Sequence, residues 1–77
     1  MRFAWDFRKQ ARNILIHGVD FETATLAFRD PNRVLISDKK HSRSETRFFC
    51  FGMVEGRVLT VRFLLRGGEI RIIGAGY

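Results

Sequence analysis

Apolar residues in the first third of the chain recur at intervals of three and four, and beyond Pro31 they alternate, so the hydrophobic period passes from helical to extended at a single proline. Ahead of the first helical run, Arg2 to Trp5 suits a short edge strand. Asp6 then occupies an N-cap position, and Phe7, Ala11, Ile14 and Leu15 share one face as far as Gly18, which reads as a left-handed stop. The spacing predicts a helix from Asp6 to His17 that buries this apolar face and turns Arg8, Lys9, Arg12 and Asn13 to solvent. Asp20 repeats the cap signal for a second helix with Phe21, Ala24, Thr25 and Phe28 inward. Asp30-Pro31-Asn32 ends it, because proline lacks the backbone donor and pushes its predecessor out of the helical region.

Val34 to Ile36 predicts a first short strand, followed by a polar, mobile loop from Ser37 to Ser44. Thr46 to Val54, Arg57 to Leu65 and Glu69 to Ile73 then form a meander whose turns are Glu55-Gly56 and Gly67-Gly68. Alternation assigns Leu59, Val61, Phe63 and Leu65 to the core face of the middle strand, and Val58, Thr60, Arg62 and Leu64 to a mixed face partly open to a ligand. On the last strand, Ile70 and Ile72 lie on one side, Arg71 and Ile73 on the other. The expected fold is α+β: two N-terminal helices packed on a three- to four-stranded antiparallel sheet, with residues 1–77 forming a single domain.

Composition narrows the class of partner. Fourteen Lys and Arg against eight Asp and Glu leave a net charge of +6 on 77 residues, a balance that attracts polyanions and makes nucleic acid the leading partner. Cys50, the only cysteine, has no internal partner for a disulfide, which points to a reducing, cytoplasmic setting. Arg62, Arg66 and Arg71 interrupt every long apolar stretch, so no membrane span is expected. So small a core is expected to draw on self-association or a bound partner.

Among the residues that carry chemistry, Cys50, His17 and His41 lack any metal-ligand spacing, and neither a metal nor another cofactor is expected. Asp38 and His41 read as a solvated pair in a polar loop, and Cys50, between Phe49 and Phe51, as a small buried hydrophobe. Parity puts Arg62 and Arg71 on the face opposite Leu59, Val61 and Phe63, with Arg47 and Arg66 nearby, a cluster suited to phosphate. Equally open is the reading in which these arginines pack their stems over apolar neighbours and pair with Glu45, Glu55 or Glu69. Phe48, Phe49 and Phe51 offer stacking surfaces for bases, with core packing the expected use of at least two. Glu45 and His41 flank a strand entrance, where they suit a general base or a group positioning a 2′-hydroxyl if the loop folds over the basic face; a surface charge is the ordinary role of such a glutamate.

The order Trp5-Asp6, His17-Gly18-Val19, Phe28-x-Asp30-Pro31, His41-Ser42, Glu45-x-Arg47 and Ile70-Arg71-Ile72-Ile73 resembles the BrnT toxin family over essentially the whole chain. The resemblance implies a RelE-like fold and a toxin of a type II toxin–antitoxin system that cleaves RNA without a metal, leaving a 2′,3′-cyclic phosphate, and so inhibits translation. It implies a BrnA-type antitoxin as partner, with operator DNA reached only through that antitoxin. Lys9, Glu45, Arg47, Arg66 and Arg71 are carried over by position; with them the catalytic candidates are Arg66, Arg71, Glu45, His41 and Lys9, and the RNA-binding candidates Arg47, Arg57 and Lys9 together with Arg62, which strand parity adds; His17 is expected to satisfy backbone groups. Ile16 stands where many members carry lysine, Leu64 where a threonine is expected, and the chain ends at Tyr77 without the family's basic C-terminal helix. Without it, Val58, Leu64 and Ile73 are expected to lie exposed and to invite a homodimer or tight antitoxin binding. The alternative function is a shortened member that binds antitoxin or RNA through its basic sheet with little or no cleavage.

Overall fold

The computed structural model describes residues 1–77 and orders them as strand β1 (Arg2–Ala4), helix α1 (Phe7–His17), helix α2 (Phe21–Thr25) and strands β2 (Val34–Asp38), β3 (Arg47–Val54), β4 (Arg57–Arg66) and β5 (Glu69–Gly76). Both helices start at the aspartates the sequence marks: Asp6 Oδ1 accepts from the N–H groups of Arg8 and Lys9, and Asp20 Oδ1 from that of Thr23. Gly18 closes α1 at φ 70°. The second helix is shorter than its periodicity suggests, because the backbone tightens into a 3-10 turn over Leu26–Arg29. Phe21, Ala24, Ala27 and Phe28 stay buried throughout that change.

The sheet has five strands in the order β1-β5-β4-β3-β2 and is mixed, since β1 runs parallel to β5. This corrects the expected three- to four-stranded antiparallel sheet: β2 is long enough to pair with β3 from Val34 to Asp38, and the chain returns through α1, α2 and the meander before β5 meets β1. Glu55-Gly56 and Gly67-Gly68 make the tight turns, all four residues at positive φ. Between β4 and β5 the register slips at a bulge. Arg62 opposes Gly74 and Phe63 opposes Ile72, so Ile73 is left without a partner.

One face of the sheet carries the core, in which Leu59, Val61, Phe63 and Ile72 meet Phe21, Ala24, Ala27 and Phe28. Gly52 makes the closest approach: an added Cβ would overlap the backbone carbonyl of Ala27. Leu65 departs from its expected burial and is 53% exposed: it lies near the end of β4, where it lines an open cavity with Phe28, Leu35 and Phe48. On the other face Leu64 departs in the opposite sense. It is buried, flanked in register by Arg47 and Arg71, whereas Val58 is exposed as anticipated and Ile73 half-buried. Phe48 packs on the core and stacks with Phe63 at 5.4 Å, but Phe49 and Phe51 lie on the opposite face, so one of the three phenylalanines serves the core and not two.

The orientation of α1 reverses the expectation from its amphipathic pattern. Asn13 is its one buried residue, while Phe7 and Leu15 are 83% and 87% exposed and Ala11, Ile14 and Ile16 also face outward. Strand β1 ends at Ala4, opposite Arg71, and leaves the rest of the β5 edge open. Asn13 completes it: Oδ1 accepts from the Ala75 N–H at 3.1 Å, and Nδ2 donates to the Ala75 and Val19 carbonyls at 2.8 and 2.9 Å. One turn earlier Gln10 accepts from the Phe21 N–H and fixes the start of α2. A sheet edge needs hydrogen bonds more than it needs apolar contact, so the polar stripe of α1 faces inward. Asp30 acts similarly across the sheet, accepting from the Met53 N–H of β3 just beyond the start of β2.

Asn13→Ala strips three hydrogen bonds and strands two polar groups of Ala75, so it is expected to destabilise the protein by about 2–4 kcal/mol. Chemical denaturation checks this; a loss within the range of an ordinary surface substitution would show that the helix is held by something else.

Candidate functional site

The face of the sheet away from the core gathers most of the basic residues named from sequence. Arg47, Leu64 and Arg71 form one row across β3, β4 and β5, and Phe49, Arg62 and Gly74 form the next. At the open end of the first row the segment after β2 folds over the sheet. There Lys40, His41, Arg43, Ser44, Glu45 and Arg47 line a cavity of about 270 Å³ floored by Leu64.

That segment is organised by its own hydrogen bonds, which corrects the expectation of a loose polar loop. Strand β2 runs two residues further than predicted and ends at Asp38, and a 3-10 turn over Lys39–His41 follows. Ser42 clips the turn to the sheet, its hydroxyl donating to the Asp38 carbonyl and accepting from the Arg47 N–H. Asp38 is buried, and its Oδ2 lies 2.9 Å from His41 Nδ1. The pair expected to be solvated is therefore a built contact with one buried member. Because the carboxylate only accepts, Nδ1 carries the proton and Nε2 remains the free nitrogen of the ring. Asp38 is the residue that sequence reasoning left out of the site. The signal was its spacing of three from His41, discounted because the strand before it was ended too early.

Glu45 and Arg66 form a bidentate pair, with Arg66 Nε and Nη2 donating at 2.8 and 2.7 Å to the two carboxylate oxygens. The bonds from Arg66 hold the Glu45 carboxyl below the usual carboxylate range, helped by the charges of Arg66, Arg47 and Arg71. Glu45 in turn raises the pKa of Arg66. A carboxylate so stabilised is a weaker proton acceptor, and an arginine so engaged offers less of itself to phosphate. The ion pairs of the structure involve Arg2, His41 and Arg66, so Arg47, Arg62 and Arg71 keep uncompensated charge. Arg71 lies near enough to lower the pKa of both Glu45 and Asp6, placing it between the cavity and the start of α1.

Lys9 is brought to a neighbouring groove with Arg12, Ile16, Arg62 and Ile73, where α1 meets the bulge of β5. The His17 ring lies beside Gly76. Arg57 is not brought to either group; it stacks on Tyr77, 4.2 Å from the ring centre, at the far end of β4. Cys50 is fully buried and burial pushes its thiol up to about 11, which removes it as a nucleophile. No group of three or more His, Cys, Asp and Glu side chains converges, and no helix is long and apolar enough to cross a membrane.

A family model described as the ribonuclease toxin BrnT of type II toxin–antitoxin systems matches residues 5–77. The chain belongs to the BrnT family of ribonuclease toxins. Among curated proteins none matches the chain.

Glu45 is stabilised as its anion in the folded state, so its contribution is present above about pH 4.5 and is lost as pH falls through its lowered folded value. Asp6 and Asp30, held down first by backbone N–H groups, act in the same direction. Melting temperature is accordingly expected to fall with acidification below this range. In Glu45→Gln the acid limb is shallower and stability at neutral pH lower by a few degrees at most; an unchanged limb would show that the exposed pair adds nothing.

Proposed function

We propose that the protein is a metal-independent endoribonuclease toxin with a RelE-like arrangement of helices and sheet, cleaving RNA in the cytoplasm and inhibiting translation. The observation that carries this reading is His41, oriented by the buried Asp38, at a cavity lined by Arg47, which shares a row with Arg71 across the intervening strand β4. His41 Nε2 takes the proton of the 2′-hydroxyl as O2′ attacks phosphorus. The P–O5′ bond breaks, the 5′-oxygen takes a proton from solvent, and a 2′,3′-cyclic phosphate remains. Arg47 and Arg71 hold the phosphate and stabilise the charge that builds on its oxygens, with Lys9 and Arg62 extending the track for the strand. Glu45 and Arg66 are positioning residues that brace the entrance of β3 against the end of β4.

The partner in this reading is the antitoxin of the same system, of the BrnA type, through which alone operator DNA is contacted. Its seat is the outward face of α1, where Phe7, Ala11 and Leu15 form an apolar stripe beside Arg8 and Arg12. Such a face suits an acidic segment with apolar residues at helical spacing. Two copies of this chain would bring like charges together there, so a homodimer through α1 is disfavoured.

Incubation of the purified chain with single-stranded RNA in EDTA is expected to yield fragments ending in 2′,3′-cyclic phosphate. His41→Ala and Arg71→Ala each slow cleavage by roughly 10²- to 10³-fold. Asp38→Asn slows it while leaving RNA affinity in place. Intact RNA at high protein concentration sinks the nuclease reading and favours a member that only binds. For the partner, Leu15→Glu is expected to abolish co-purification with the antitoxin and to leave cleavage unchanged; retained association would place the interface elsewhere.

A further inference from the structure

The second row of the open face has properties that phosphate binding does not require. Phe49 lies there and Phe51 in the row after it, their ring centres 5.7 Å apart and planes inclined by 31°, and neither belongs to the core. Half-buried on a solvent-facing sheet, these phenylalanines leave part of their ring surface open to a ligand. Beside them in register are Arg62 and Thr60. Arg62 is held low against the sheet because its neighbour across β5 is Gly74, where an added Cβ would overlap the guanidinium. A flat cation thus continues the aromatic surface, without a carboxylate to neutralise it. Phe49 lies two residues along β3 from Arg47, a displacement of about 7 Å, within the reach of one nucleotide.

We propose that Phe49, Phe51 and Arg62 form a nucleobase subsite that stacks an unpaired base of the RNA strand next to the phosphate held by Arg47 and Arg71. The inference rests on the nuclease reading above and adds to it where the base sits. Stacking on phenylalanine accepts any base, since every base has a π face, and Arg62 beside the rings extends the stacking surface with a cation. The subsite also confines the substrate to single strands, because a paired base cannot lie flat on the sheet.

The test uses a short RNA made uncleavable by 2′-O-methyl groups, carrying 2-aminopurine beside the central phosphate, and an otherwise identical oligomer with an abasic residue there. The wild-type chain is expected to bind the base-bearing RNA about tenfold more tightly and to quench its fluorescence. Phe49→Leu and Phe51→Leu keep apolar bulk, and a thermal melt confirms that they fold. They are expected to erase the preference and the quenching while leaving affinity for the abasic oligomer in place. Arg71→Ala should weaken both oligomers alike, since it removes a phosphate contact. Equal affinity of the wild type for the two oligomers, with no quenching, overturns the subsite and leaves the nuclease reading standing. Failure to bind either one overturns the subsite too, and the cleavage assay in EDTA then decides whether the nuclease reading falls with it.

Discussion

The three central strands are longer than the strands that flank them, and the open edges this leaves are completed by side chains. Asn13 does so for β5, with one amide that both gives to and takes from the backbone of Ala75. Asp30 does so for β3 at Met53. Much else follows from the first of these. With Asn13 turned inward, Gln10 meets the start of α2, Lys9 and Arg12 come to the margin of the open sheet face, and the apolar stripe of α1 is left outside. A leucine in place of Asn13 would suit the burial of that position and would leave β5 with unpaired groups. The local pattern is sacrificed to the hydrogen-bonding needs of a strand 62 positions away in sequence.

The two faces of the sheet are divided by chemistry. One is sealed by α2 and the 3-10 turn, closely enough that only glycine fits at position 52. The other carries Arg47, Arg62 and Arg71 without counter-charges, and a net charge of +6 supports the same sign around them. Within that face the single bidentate pair, Glu45 with Arg66, stands at the edge, where it ties the end of a loop to the end of β4. Its position separates an arginine held by a carboxylate from arginines on the same surface that have none.

Features encoded locally were legible in the sequence. The aspartate caps, the glycine stop after His17, both tight turns and the burial of Leu59, Val61 and Phe63 depend on neighbours a few residues apart. Parity along two strands also placed Arg62 and Arg71 together on the open face, and the bulge preserves that relation. What could not be read was set by distant partners. The reversal of α1 depends on Ala75, the parallel pairing of β1 on the register of β5, and the burial of Asp38 on how far β3 extends. Which carboxylate Arg66 meets could not be read for the same reason, since Glu45 lies on a loop whose course no periodicity describes.

A single inserted residue in a strand ordinarily turns every later side chain to the opposite face. The bulge at Ile73 has no such effect. With Ile73 taken out of β5, Arg71 would still point away from the core, Ile72 toward it, Gly74 away and Ala75 toward it. The two-sided pattern of the sheet is therefore independent of the extra residue, which contributes sideways, among Lys9, Arg12 and Ile16. In β5 the backbone has in effect two reading frames that agree, one specifying the faces of the sheet and the other a hinge plate on which the first helix is mounted.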